Sequence, residues 1–458
     1  MEQKQSFFVK DKQFYRSVAA IAIPIALQNI ISFGVNIMDS VMLGSLGDIA
    51  ISGASLGGQP FFILMMFSFG LSSGGGVLIA QYWGKKDLDT ARRVMSISMR
   101  LVLIISVLFT AVSLAFPRQL MGLFSHEEAV VDAASSYLFV LAFSYIFFSV
   151  SSNYIMSLRA VEQVKVSAVI YGISFFVNVF FNYCFIFGKF GFPRMEVAGA
   201  AVGTIFARVS EFIMVLIYMA FFEKRVQFKP RHLLSFDRGL LPDYIRHALP
   251  VVGNEVLWGL GAAATNLVIG RIGSSFVAAN SIANVMNQLC GVFIFGIANA
   301  AAVLTGKAIG QGKSGHAQQT AQTLWAMSFG VGVFSCLVLL ALRGPVMMIY
   351  NVTPEAHAAA TSILTVLALL QISFAPDITN IVGILRGGGD TRTAFLFDCG
   401  GLWLIGVPLG ILTGLVLRLP APIVFLCMKM DSPVKLVLGS VRMFSGKWIR
   451  NVTRAEEG

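Results

Sequence analysis

Two stretches of this chain are versions of one another. The segment LIAQYWGKKDLDTARR, beginning at Leu78, returns as LTGKAIGQGKSGHAQQ, beginning at Leu304, 226 residues further on. The same shift carries Pro24 onto Pro250, Gly44 onto Gly270, Gly47 onto Gly273 and Ser55 onto Ser281, and a shift of 227 carries Leu158-Arg159 onto Leu385-Arg386. A repeat on this scale spans a whole lobe, so the chain must fold as two lobes of one design.

The medium follows from composition. Hydrophobic residues make up 56% of the chain and charged residues only 12%, with a mean hydropathy of +0.77. Apolar runs of this length have no aqueous surface to cover them, which excludes a water-soluble domain. The net charge of +11 does not point to nucleic acid, because the basic residues sit between apolar runs instead of along one face. Cys184, Cys290, Cys336, Cys399 and Cys427 are odd in number and all lie in apolar runs, so they read as packing residues and not as a disulfide framework or thiolate metal site. The first sixteen residues are polar and lead into an apolar run with no small-residue cleavage site, the pattern of a signal anchor.

Apolar runs of roughly 20 residues between polar breaks predict about twelve transmembrane helices, six per half. We therefore expect an all-α integral membrane protein of two six-helix bundles. Its expected parts are an N-terminal segment at 1–16, an N-lobe at 17–221, a linker at 222–244, a C-lobe at 245–441 and a tail at 442–458. The last run, 420–441, is broken by Lys429, Asp431 and Lys435. Six is even, so both halves enter from the same side and form parallel repeats about an axis along the membrane normal, as in secondary transporters whose site lies between rocking lobes. Lys and Arg number 24 in the termini, the even loops and the linker counted through Arg246, against 6 in the odd loops, which predicts cytoplasmic termini in a cell (inner) membrane. The linker's charge run reads as a solvated face near anionic lipid.

Asp39, Glu255 and Asp377 each fall within an apolar run. A carboxylate there costs about 3 kcal/mol even on the lenient insertion scale, so each needs a wet cavity, a cation or a proton. Gln28 and Asp39 are eleven residues apart, as are Glu255 and Asn266, and that spacing returns to nearly the same helix face; Asn178 and Asn182 are an i,i+4 pair. Glu255 and Asp377 fall at one depth, roughly 15 Å from the cytoplasmic ends of their spans. Asp39 and Asn182 share another level, nearer the outside. Two polar clusters are expected, one per lobe. Either serves a proton through a desolvated carboxylate or Na+ through an ionised carboxylate with neutral oxygens around it. The neutral oxygen of Asn266 favours Na+ at Glu255 and Asp377.

The phrases IPIALQNIISFGVNIMDSVMLGSLGD, AQYWGKK, VNVFFNYCFIFGKFG, VAGAAVGTIFAR and GILRGGGDTR, in this order across nearly the whole chain, resemble the multidrug and toxic compound extrusion (MATE) family of prokaryotic type. The resemblance implies cation-coupled export of organic compounds by two six-helix bundles. It matches Asp39, Asn178 and Asn182 to the N-lobe cation or proton site. It matches Glu255 and Asp377 to the C-lobe acidic pair of the sodium-coupled branch, Glu255 through its surrounding text and Asp377 through its depth.

Other signals divide between chemistry and packing. Asn280, Asn284, Asn287 and Gln288 form one stripe that suits interhelical hydrogen bonds or a wet substrate cavity, to which Gln28 and Met65 are added. Arg208 and Glu211, three apart, read as a mutually neutralising pair, and Asp398 as a carboxylate solvated at the interface. Gln311-Gly312-Lys313-Ser314 lacks the upstream glycine of a phosphate loop, where Lys307 stands, and follows an apolar helix, so no nucleotide is expected. The sequon Asn351-Val352-Thr353 carries no argument. The 39 Phe and 19 Met residues offer adaptable apolar walls for amphipathic, cationic compounds, though in membrane helices such residues more often pack.

The reading is an antiporter that exchanges small organic substrates for Na+ or H+, acting as a monomer without another cofactor. A flippase for a lipid-linked saccharide is the alternative. It would need several Arg or Lys in its cavity, whereas Arg208 and Arg100 alone are read within spans before the last. An intramembrane enzyme is disfavoured because His126, His232, His247, His316 and His357 all lie in loops or at helix ends.

Overall fold

A computed structural model describes residues 7–234, 237–350 and 352–454; Asn351 of the sequon lies outside them. The described chain is helical. In the first half the helices are α1 (Lys12–Gly44), α2 (Asp48–Gly57), α3 (Gln59–Lys85), α4 (Leu88–Ala115), α5 (Pro117–Gly122), α6 (Glu128–Leu141), α7 (Tyr145–Ala160), α8 (Lys165–Phe187) and α9 (Glu196–Ile217). In the second half they are α10 (Leu241–Ile272), α11 (Ser274–Gly310), α12 (Ser314–Ile349), α13 (Pro354–Ile378), α14 (Thr391–Gly401), α15 (Val407–Ile411), α16 (Ala421–Met428) and α17 (Asp431–Phe444).

Among the described residues ten helical segments are long and apolar enough to cross a membrane, against about twelve expected. The shortfall has two causes. Helix α10 has 32 residues, ample length, but carries Asn254, Glu255 and Asn266 and is too polar on average to qualify. The last expected span is divided into α16, of 8 residues, and α17, of 14, each short of the ~20 needed. The helices also outrun the apolar text. The repeated polar segments after Leu78 and Leu304, expected in loops, form the last turns of α3 and α11 and the first turns of α4 and α12.

The repeat acts at particular backbone positions. Gly47 and Gly273 open the second helix of each half with φ of 100° and 153°, a region that a side chain would strain. Pro24 and Pro250 lie inside α1 and α10. Past Pro376 the regular helix gives way at Thr379–Leu385 to a wide turn with i→i+5 hydrogen bonding, in the stretch that holds Asp377, Thr379 and Asn380. A proline removes a helical donor, and wide turns of this kind recur at functional sites.

Contacts divide the chain into two compact units that do not follow the linear halves. One comprises the chain up to Ala26, residues 80–87 and residues from Gly253 onward; the other comprises residues 27–79 and 88–252. The cuts after Ala26 and Val252 are themselves one repeat apart. In the second unit a Cβ on Gly70 or Gly74 of α3 would lie 2.6 Å from Val252 Cα or 2.4 Å from Ala248 Cα. In the first unit a Cβ on Gly296 of α11 would lie 2.9 Å from the Ala22 carbonyl. Gly70 and Gly296 are equivalent, as are Ala248 and Ala22, so each second helix clasps the opening turns of the other half's first helix. Glycine is needed because lipid supplies no hydrophobic drive between helices, and association depends on close backbone approach. The five cysteines are free, and four are buried, in keeping with a packing role.

Candidate functional site

Asp39, near the end of α1, accepts a hydrogen bond at Oδ1 from Asn182 Nδ2 at 2.5 Å, and the same amide reaches Asn178 Oδ1 at 3.2 Å. Asn178 and Asn182 are buried, at 2% and 0% exposure. Their positions follow from α8 itself, where Ser174, Asn178 and Asn182 recur every fourth residue on one face. Gly203 of α9 makes room for that face, since a Cβ there would fall 2.0 Å from Asn182 Oδ1. One and two turns further along α9, Ser174 Oγ donates to the Ala207 carbonyl at 3.4 Å and to Glu211 Oε1 at 2.7 Å. Glu211 accepts from Arg208 Nη1 at 2.8 and 2.9 Å, and the guanidinium lies 5.1 Å above the Phe148 ring. Arg208 and Glu211 are thus the paired charges the spacing predicted, joined through Ser174 to the stripe that holds Asp39.

In the second half the arrangement differs from expectation. Glu255 and Asp377 share no hydrogen bond or ion pair among the described residues; each has its own basic partner. Arg386 Nη1 meets Glu255 Oε1 at 2.9 Å. Asp377, fully buried, faces Lys435 Nζ of α17 at 3.6 Å, and neither of its oxygens accepts a hydrogen bond among the described residues. Lys435 also holds Asp398 and Asp431 at 3.0 Å each, and Asn254 Nδ2 donates to Asp398 Oδ2 at 2.9 Å. Asp398 is therefore a buried network member and not the interfacial carboxylate expected. Lys435 and Asp431, read as interruptions of a membrane span, sit one turn apart on the buried face of α17 and carry its charge inward.

The remaining candidates scatter. Asn266 is exposed and is not joined to Glu255. Gln28 is buried and accepts from Arg159 Nη2 at 3.0 Å, which ties α1 to the end of α7. Asn287 accepts from Gln371 Nε2 at 2.9 Å, and Asn280 is buried, while Asn284, Gln288 and Met65 are exposed. Sequence reasoning put Arg159 and Arg386 in loops, but Arg159 closes α7 and Arg386 directly follows the wide turn, at 8% and 3% exposure. The signal was present in the repeated Leu-Arg pair. Each arginine reaches back to the first helix of its own half, to Gln28 just past Pro24 and to Glu255 just past Pro250.

The MatE family profile matches residues 24–184 and 250–412, one match in each half. Over 450 residues, 96% of this chain and 95% of the relative, the sequence is 25% identical to a probable multidrug resistance protein NorM of Thermotoga maritima. It is 26% identical over 410 residues to the multidrug resistance protein MdtK of Yersinia enterocolitica, covering 87% and 88% of the two chains. The fold matches a multidrug resistance MATE family transporter of the MOP superfamily solved in an outward-facing conformation, with a TM-score of 0.86, 19% identity and coverage of 96% and 99%. With a profile match in both repeats and a shared all-helical fold, the chain belongs to the MATE family of multi-pass membrane transporters.

Proposed function

We propose that this transporter exports amphipathic, cationic organic compounds in exchange for Na+ or H+, by alternating access, and that the coupling ion is taken up at Asp39. The observation that carries the reading is the Asp39–Asn182 bond at 2.5 Å, backed by Asn178. It is a carboxylate in a membrane-length helix whose hydrogen-bond donor is a neutral amide. Such a group lacks a counter-charge in direct contact, so an exchangeable proton or metal cation supplies one. The second-half carboxylates are differently provided. An Na+ at Glu255 or Asp377 would have to displace Arg386 or Lys435, which makes Asp39 the better place for an ion that comes and goes.

Both termini are taken as cytoplasmic in a cell membrane, on the excess of Lys and Arg in the loops of that side. A saccharide flippase gains nothing from the buried basic residues, because Arg159, Arg208, Arg386 and Lys435 are each bonded to an acid or amide of the chain itself. The test is efflux of a fluorescent organic cation from proteoliposomes under an imposed Na+ gradient at fixed pH, and separately under a pH gradient without sodium. One gradient drives efflux in the parent, and Asp39→Asn abolishes the response while the protein still inserts. Full gradient-driven efflux by Asp39→Asn would reduce this carboxylate to a structural role.

A further inference from the structure

The repeated segment that opens the sequence meets its own copy. In the first compact unit, a Cβ on Gly84 would lie 2.2 Å from the Lys307 carbonyl, and a Cβ on Gly310 would lie 1.9 Å from the Gln81 carbonyl. Gln81 and Lys307 are one repeat apart, and so are Gly84 and Gly310. The last turns of α3 and α11 therefore cross about a local two-fold, backbone on backbone, each contributing the glycine that admits the other.

The end of the chain is laid over this crossing. Past α17, Trp448 is fully buried. It rests on Gly388, where a Cβ would meet its ring at 2.2 Å, and its Nε1 donates to Gln318 Oε1 at 2.9 Å. Arg450 N donates to the Gly388 carbonyl at 2.9 Å. Asp390, without exposure, is held by Arg442 at 2.8 Å and Arg450 at 3.0 Å. These contacts fasten the tail to the second half. Its next residues reach the first half. Gln81 Nε2 donates to the Arg450 carbonyl at 3.0 Å, and Gln81 Oε1 accepts from Val452 N at 2.9 Å. Arg454 N donates to Tyr82 Oη at 3.2 Å, and Lys85 Nζ donates to the Arg454 carbonyl at 3.0 Å. The buried Gln81 amide thus pairs with the tail backbone as a strand would, across the place where the two halves' helices cross.

We propose that residues 446–454 are a latch on the α3–α11 crossing, and that the latch releases when the transporter opens on the face that carries its termini. The proposal rests on the alternating-access reading above. An exporter must part its lobes on that face once per cycle, and the bonds from Gln81, Tyr82 and Lys85 tie the end of α3 to a strap anchored in the other half. The rest of the strap's anchorage, Trp448 on Gly388 and Asp390 with its two arginines, lies wholly within the second half and is not strained when α3 leaves.

The experiment measures the crossing directly, without substrate or gradient, so its outcome is independent of export. Spin labels at Lys86→Cys and Lys313→Cys, both exposed, report the distance between the ends of α3 and α11 in the full chain by pulsed dipolar spectroscopy. The latched chain shows a dominant short distance and a minor longer one. Gln81→Leu, which keeps the side-chain volume and removes both amide bonds, raises a longer-distance population by about tenfold, the size expected for two hydrogen bonds of modest net worth. A chain ending after Lys447 does the same. Distance distributions of Gln81→Leu and the shortened chain that superimpose on the parent's would overturn the latch, and they would leave the export reading untouched. Should Gln81→Leu fail to fold, the shortened chain alone decides.

Discussion

Replacing Lys435 by Met tests whether the buried charges of the second half form one unit. The amine stands 3.0 Å from Asp398, 3.0 Å from Asp431 and 3.6 Å from Asp377, with side-chain exposures of 7% for the lysine and 11%, 10% and 0% for the acids. At an effective dielectric near 20, each 3.0 Å contact has a Coulomb energy of about 5 kcal/mol, offset by desolvation of the charges and by repulsion among the acids. Removing one member of a buried ionic set typically costs about 3–5 kcal/mol, because the charges left behind have no partner. Lys435→Met keeps the stem's apolar contacts and deletes only the amine, so we expect a loss in that range, seen as an unfolding temperature lower by about 3–5 °C. Thermal unfolding in detergent, followed by the reactivity of the buried cysteines, provides the assay. The cause is separated from lost packing by Lys435→Met combined with Asp377→Asn, Asp398→Asn and Asp431→Asn, which removes all three stranded charges and recovers much of the loss. Lys435→Met as stable as the parent, or a combined variant no better than the single one, would refute the claim that these residues act as one linked set.

Gly203→Ala puts a methyl 2.0 Å from Asn182 Oδ1, so the amide must turn away from Asp39. Efflux should fall at least tenfold with the protein still folded, and unchanged efflux would show that the Asn182 bond is dispensable. Gly310→Ala meets the Gln81 carbonyl at 1.9 Å, a backbone atom that cannot rotate aside. It should destabilise by about 1–3 kcal/mol or more, whereas Gly312→Ala, with nothing within 4 Å but φ of 73°, should cost about 1 kcal/mol of backbone strain; equal losses would count against the close crossing. In the linker, His232 Nδ1 accepts from Lys229 N at 2.8 Å, while Ser96 Oγ donates to the His232 carbonyl at 3.0 Å and Arg92 Nε to the Val226 carbonyl at 2.5 Å. Burial first, then Arg92 and Arg231, holds this imidazole below its ordinary value of 6.5. The docked linker therefore prefers the neutral ring, and docking is at full strength above that value and weakens as pH falls through it toward the lower docked value. Hydrogen exchange corrected for its intrinsic rate should show lower protection of residues 226–233 at pH 5.5 than at pH 7.5, and equal protection would remove His232 from the docking.

Much of this protein is written locally in its sequence. A bilayer demands runs of about 20 apolar residues with every backbone group satisfied inside the helix, so crossings can be read one run at a time, and the repeat at 226 doubles the reading. Asp39, Asn178 and Asn182 were legible for the same reason. A carboxylate in an apolar run needs company, two amides one turn apart on α8 offer it, and both features sit within single helices. Arg208 and Glu211 were paired correctly because their spacing alone brings them together. The second-half network was not legible, since apart from the Lys435–Asp431 pair one turn apart on α17 its bonds join residues that no periodicity relates. Arg386 reaches Glu255 across 131 positions and Asn254 reaches Asp398 across 144. Equal depth made Glu255 and Asp377 look like one pair, but depth says nothing about which way a helix is turned, and rotation gave each acid its own base. Lys435 and Asp431 looked like reasons to doubt a span, because in sequence a charge in an apolar run is only a cost. Only helix packing shows that three acids and one amine meet and offset that cost. The latch lay furthest from sight. The tail has no pattern of its own, and its partners Gln81, Tyr82 and Gly388 became neighbours only when the two copies of one segment crossed.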